Sequence, residues 1–227
     1  VAMGFNTIAG PQDVQAGGVT GDNVGQFSAG YASRAIGNVS TATGFRNTAS
    51  GSSSVSMGYY NYATGDATIA LGKENWAAGS SSVALGQENK SWGATNFTSG
   101  YQNVAGDVTA GVGSGGSATA MGKYNSASAD ASMALNRGTS ATNQASTSMG
   151  FRTISDNLGM LAIGVNNAAG IGDPTPSQYY YANGQLTGAT PGVAFVIGNG
   201  DINTTALQRG DNPSNAFKVM FNGDTTV

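Results

Sequence analysis

The sequence predicts an all-β fold: a parallel β-solenoid (β-roll) of about 14-residue coils, followed by a small β-rich C-terminal segment. Three observations predict it. Gly30, Gly44, Gly58, Gly72, Gly86 and Gly100 follow one another at intervals of 14. The residues before each glycine alternate large and small with strand period, as in Val83-Ala84-Leu85-Gly86. Finally, Gly supplies 36 of 227 residues while Leu, Ile, Val and Phe together supply about 17%, so a thick apolar core is out of reach.

Each position of the coil recurs. Two residues before the glycine stand Ala42, Ser56, Ala70, Ala84 and Thr98; one before it stand Met57, Leu71 and Leu85; three before it stand Val55, Ile69, Val83 and Phe97. Three after it comes Asn47, Asn61, Asn75, Asn89, Asn103 and Asn125, and five after it Ala35, Ala49, Ala63, Ala77 and Ala105. A second glycine follows seven after the first at Gly37, Gly51, Gly65, Gly79 and Gly93. After a step of 22 the register resumes at Gly122, Asn136, Gly150 and Gly164; upstream, Gly4 and Gly18 precede a step of 12 to Gly30. These read as one enlarged and one trimmed coil.

Fourteen is also two heptads, but two glycines per unit at about 1 kcal/mol each rule out a coiled coil. Collagen needs Gly at every third residue and is excluded too. Fourteen residues give a contour of roughly 46 Å, enough for two short strands and two turns whose positive φ glycine would supply. The Val/Leu files are expected inside, with Ala and Ser on the opposite face. So slender a coil is marginal alone, which predicts self-association.

Composition narrows the function. Without Cys or His there is no disulfide, no ordinary zinc cluster and no Ser-His-Asp arrangement. Charged residues make up 9% and the net charge is −3, which offers no phosphate-binding footprint, so no nucleic-acid partner is expected. The longest apolar runs are about five residues, as at Val193–Ile197, so no membrane insertion of this segment is expected. Opening on Val1-Ala2-Met3-Gly4, the chain reads as a piece of something longer.

The unit Ser82-Val83-Ala84-Leu85-Gly86-Gln87-Glu88-Asn89, with Ser91-Trp92-Gly93 after it, resembles the head repeats of trimeric autotransporter adhesins (YadA-like heads). Ser54-Val55-Ser56-Met57-Gly58 and Thr68-Ile69-Ala70-Leu71-Gly72 match equally well. The resemblance covers residues 1–172 and implies a left-handed roll, a homotrimer and a non-enzymatic adhesive role at an extracellular cell surface, anchored in an outer membrane elsewhere in the chain. Residues 173–227 form a separate β-rich neck or connector. There Phe195-Val196-Ile197-Gly198-Asn199-Gly200, then Arg209, then Asn215-Ala216-Phe217-Lys218-Val219 and Asn222-Gly223, resembles segments of phage-type tail-fibre proteins. That second resemblance implies the alternative of a tail-fibre segment on a virion or tail-like particle, binding a receptor on a bacterial surface. Val193–Ile197 and Ala216–Phe221 read as strands and Asn222-Gly223 as a hairpin turn.

Candidate contact residues for a cell-surface receptor, protein or glycan, are aromatic. Phe5, Tyr31, Phe45, Tyr59, Tyr101 and Phe151 stand one after the glycine, interrupted by Lys73, Gln87, Lys123 and Arg137. Tyr60, Tyr62, Trp76 and Tyr124 are nearby. Such a file serves either as the seam between chains or as a receptor face. The Asn file reads as structural stacking. Glu74 and Glu88 fall one coil apart, near the carboxyl spacing of a retaining glycosidase, which keeps a polysaccharide-degrading enzyme as a distant alternative. No cofactor is expected. Asn199, Asp201 and Asn203 alternate like part of a calcium loop, with Asp211 and Asn212 beyond, but read better as a turn. Gly111–Gly116 lacks the Lys-Ser/Thr of a phosphate loop.

Overall fold

The repeat folds as one coil per 14 residues. The computed structural model of the chain describes residues 1–10, 25–107, 115–167, 180–182, 185–187, 193–199, 215–220 and 225–226. Its contacts divide the chain into two units, Val1–Ser117 and Ala118–Val227.

In the first unit each coil has a long and a short strand. The long strands Ala2–Phe5, Phe27–Tyr31, Thr41–Phe45, Val55–Tyr59, Ile69–Lys73, Val83–Gln87 and Phe97–Tyr101 stack in parallel. The glycines face one another in register, Gly58 on Gly72 and Gly72 on Gly86. The short strands, among them Thr48–Ala49, Tyr62–Ala63, Trp76–Ala77 and Lys90–Ser91, form a second parallel sheet. At Gly72 φ is +117°, and a Cβ there would lie 2.1 Å from Gly86 O, so both the backbone and the neighbouring coil demand glycine.

Three expectations need correction. First, the sharp corners of this unit are mostly not made by glycine, although Gly138 and Gly159 hold the equivalent corners of the second unit at φ +66° and +65°. In the first unit they fall two residues after the long-strand glycine, at Arg46, Tyr60, Glu74, Glu88 and Gln102, and again at Ser53, Ala67, Ser81 and Thr95, all with φ between +53° and +58°. Second, Ala2–Phe5 pairs directly with Phe27–Tyr31, Gly4 opposite Gly30, rather than through an intervening strand; the trimmed coil expected around Gly18 falls in residues 11–24, outside the described ones. Third, the facing of the long strands is inverted. Ala42, Ser56, Ala70, Ala84 and Thr98 are fully buried, as are Ala35, Ala49, Ala63 and Ala77 on the short strands. Val55, Ile69, Leu71, Val83, Leu85 and Phe97 are only half-buried and Met57 is 43% exposed. With a five-residue and a two-residue strand closing each lap, the interior holds only small side chains, so the large ones turn outward.

Polar bonds make up for the thin interior. Ser40, Ser54 and Thr68 donate their hydroxyls to Gly37 O, Gly51 O and Gly65 O at 2.6, 2.6 and 2.7 Å, closing the turn at the second glycine. The Asn file is fully buried between the sheets. Asn61 Nδ2 donates to Met57 O and Gly72 O at 2.9 and 2.8 Å and to Asn47 Oδ1 at 3.0 Å; Asn75 and Asn89 repeat the pattern one and two coils on. The expected amide stack is therefore present, and it ties each long strand to the next coil.

The second unit stacks Thr119–Lys123, Met133–Arg137, Thr147–Phe151 and Leu161–Val165 in the same way. Asn136 occupies the glycine position at φ +86°, a region Asn enters more easily than most side chains. Here Thr139 succeeds Asn125 in the amide file and donates its backbone N and Oγ1 to Asn125 Oδ1 at 3.0 and 2.8 Å. The register was expected to end near residue 172. Instead Val193–Asn199 adds in parallel to Leu161–Val165 with Gly198 opposite Gly164, and buried Val196 packs with Met160 and Ala162. Asn215–Met220 pairs antiparallel to it, so these two realise the strands expected at Val193–Ile197 and Ala216–Phe221, and Thr225–Thr226 adds a further antiparallel strand; Asn222 and Gly223 lie outside the described residues. Tyr180–Ala182 and Gln185–Thr187 form a separate antiparallel pair. Among the described residues there is no helix, and hence none long and apolar enough to cross a membrane.

Candidate interaction surface

Strand alternation sets the site. Because Ala and Ser point inward, the residues three before, one before and one after the glycine share the outer face of the long strand. On its edge the first unit carries a column of rings. Phe5, Tyr31, Phe45 and Tyr59 stack with centroids 5.3, 5.0 and 5.1 Å apart and planes within 15° of parallel. That spacing is close to the ~4.8 Å rise between paired strands, so the coil itself imposes the stack. Lys73 Nζ lies 6.0 Å from the Tyr59 ring centroid and ends the column; Tyr101 stands half-buried in the same file, beyond Gln87. In the second unit the same position puts Phe151 between the Arg137 and Arg152 guanidinium groups at 5.3 and 5.2 Å. Burial, and then Arg137, lower the Arg152 pKa.

The remaining candidates lie around the corner. Tyr60, held at φ +55°, meets Tyr59 edge-on at 4.7 Å, and its hydroxyl accepts from Arg46, whose guanidinium covers both Phe45 and Tyr60. Tyr124, at the same corner position of the second unit, lies under Lys123 Nζ at 5.0 Å. Tyr62 and Trp76 occupy the outer side of the short strand on successive coils, rings 5.5 Å apart and inclined by 36°. Trp92 continues the row at 5.1 Å from Trp76, a neighbour the sequence reading passed over. Period-two alternation was the available signal, since positions four and six after the glycine share one side of the short strand.

The ten candidate aromatics therefore divide into two groups. Phe5, Tyr31, Phe45, Tyr59 and Tyr101 in the first unit, and Phe151 in the second, belong to the outer face of the long strands. Tyr60, Tyr62, Trp76 and Tyr124 belong to the corner and short-strand side.

Two open recesses sit on this side of the first unit. One, of about 320 Å³, is lined by Tyr59, Tyr60, Tyr62, Glu74, Trp76 and Lys90. The other, of about 380 Å³, is lined by Glu74, Glu88, Lys90, Gln102 and Val104. Glu74 pairs with Lys73 at 3.6 Å. Glu88 accepts from Gln102 Nε2 and from Gln87 Nε2, the latter at 2.8 Å; these bonds, together with Lys73 and Lys90, hold its pKa below the ordinary 4.5. Asp201, Asn203, Asp211 and Asn212 of the candidate calcium turn, and residues 111–114 of the Gly-rich stretch, lie outside the described residues. No group of three or more metal-ligating side chains occurs among the described residues. No protein-family model matches the chain, and no curated protein matches it.

Proposed function

We propose that this chain is a non-enzymatic, extracellular segment of a homotrimeric surface fibre that attaches its bearer to another surface. One observation carries the reading: the outward aliphatic face of the long strands in the first unit. Val55, Met57, Ile69, Leu71, Val83, Leu85 and Phe97 run along successive coils, while the interior is filled by Ala, Ser and Asn. Soluble chains rarely leave so continuous an apolar stripe uncovered, and sister copies covering it are the economical solution. Three copies round an axis is the number the head-repeat resemblance implies. The aromatic column from Phe5 to Tyr59, on the edge of the same face, then belongs to the seam between chains. The corner and short-strand side stays outside and carries the contact residues.

The test is attachment. The full chain, purified and fluorescently labelled, is added to bacterial cells and to animal cells. Saturable binding to either supports the reading; binding confined to bacteria favours a tail-fibre segment, and binding to neither overturns the attachment role.

A further inference from the structure

We infer that the recess between Tyr60, Tyr62 and Trp76 is a subsite for a neutral oligosaccharide, with one pyranose ring stacked on Trp76 and Tyr62. The inference rests on the attachment reading and names its ligand class.

The rings are set before any ligand arrives. Trp76 is flanked by Tyr62 and Trp92, and its Nε1 donates to Thr64 Oγ1 at 3.3 Å, yet 39% of the residue remains exposed. A fixed, half-exposed aromatic plane saves the ordering cost of binding and suits the C–H face of a sugar. Beside the rings, Glu74 and Lys90 line both recesses. Glu88 already has its carboxylate bonded to two glutamines, whereas Glu74 has only the exposed Lys73 at 3.6 Å, so Glu74 and Lys90 are the groups placed to meet ring hydroxyls. Hydroxyls can donate to Glu74 and accept from Lys90, whereas a carboxylate can only accept.

Charge selects within the sugars. Lys73 and Lys90 balance Glu74 and Glu88, so the patch offers no net positive field to a sialylated, sulfated or phosphorylated glycan. A proline-rich peptide also docks on aromatic grooves. It has no prolyl N–H to give Glu74, which would gain no hydrogen bond from it. The corner positions Tyr60, Glu74, Glu88 and Gln102 run over four coils, roughly 14 Å at the inter-strand spacing, the length of a short oligosaccharide.

Both tryptophans of the chain belong to this row, so their fluorescence reports on it directly. The full chain is titrated with short neutral oligosaccharides of glucose, galactose, mannose and N-acetylglucosamine, and in parallel with sialyllactose and decaproline. The expected result is a saturable change with at least one neutral sugar, weakened roughly tenfold in Tyr62→Ala and also in Glu74→Gln, with melting temperature and native mass unchanged. Silence from every neutral sugar, preference for sialyllactose or decaproline, or equal affinity in Tyr62→Ala would overturn it. If the sugars fail while the chain still attaches to cells, this inference falls and the attachment reading stands; failure of attachment itself strikes that reading first.

Discussion

Asn75 and Asn61, one coil apart, are joined twice at a single oxygen: Asn75 N and Asn75 Nδ2 both donate to Asn61 Oδ1 at 3.0 Å. The same Nδ2 reaches Leu71 O at 2.8 Å and Gly86 O at 2.7 Å, while Asn75 Oδ1 accepts from Asn89 N and Nδ2 at 3.0 and 3.1 Å. Each amide thus closes its own coil and fastens the ones before and after it. In a chain whose buried apolar side chains are mostly Ala, these bonds carry stability that larger cores draw from packing.

Asn75→Ala therefore destabilises strongly, by about 2–4 kcal/mol, since several buried groups lose partners at ~1 kcal/mol or more each. Lys90→Ala, on an exposed side chain without a salt bridge among the described residues, changes stability by less than about 0.5 kcal/mol. Denaturant unfolding of the two variants checks the contrast; equal midpoints would contradict it.

Gly72→Ala meets two penalties. Its φ of +117° costs an L-residue about 1–2 kcal/mol, and the new Cβ would sit 2.1 Å from Gly86 O, which forces the coils apart. A loss of more than about 2 kcal/mol in the same unfolding assay is expected, with amide exchange fastest in the flanking coils.

Ala84 and Leu85 are neighbours on opposite faces. Ala84 is fully buried against Ala63, Ala70 and Ala77, so Ala84→Leu overpacks the interior and costs about 3 kcal/mol or more. Leu85→Asp instead puts a charge on the outer face, where it leaves the secondary structure of the coil intact and weakens association between chains. Circular dichroism together with sedimentation separates the two outcomes; loss of β signal in Leu85→Asp would mean that its side chain belongs inside.

Glu88 gives a pH prediction. Its folded pKa is depressed, so its contribution is complete above the ordinary value of 4.5 and fades as pH falls through the lower folded value. Carbon NMR of the Glu88 carboxyl should show titration below 4.5, and Gln102→Ala, which removes the leading cause, should move it upward. A midpoint above 4.5 in the unmodified chain would contradict the bonding described.

The period, the parallel stacking and the amide file were legible in the sequence because a solenoid repeats its requirements at each lap. Facing was not. The run Val83-Ala84-Leu85-Gly86 shows which residues share a side but not which side is inward, and side-chain size pointed the wrong way. The usable signal was constancy of volume: Ala42, Ser56, Ala70, Ala84 and Thr98 stay small from coil to coil, as a narrow interior demands, whereas the position one before the glycine runs Thr43, Met57, Leu71, Leu85 and Ser99. The corners were misassigned for a related reason. Tyr60 and Glu74 adopt positive φ because the coil bonds on either side hold them there, and local preference carries no hint of that. The return of the register at Gly198 was hidden by the 34-residue interval after Gly164 and by Val196, which stands where earlier rungs carry Ala, Ser or Thr.

In the proposed homotrimer, sister chains cover the outward Val, Ile and Leu files. Native mass measurement of the purified chain at micromolar concentration tests it most directly, alongside Leu71→Asp/Leu85→Asp. Three chains per particle are expected for the unmodified protein and smaller species for the double variant. A stable, well-folded monomer of the unmodified chain would contradict it.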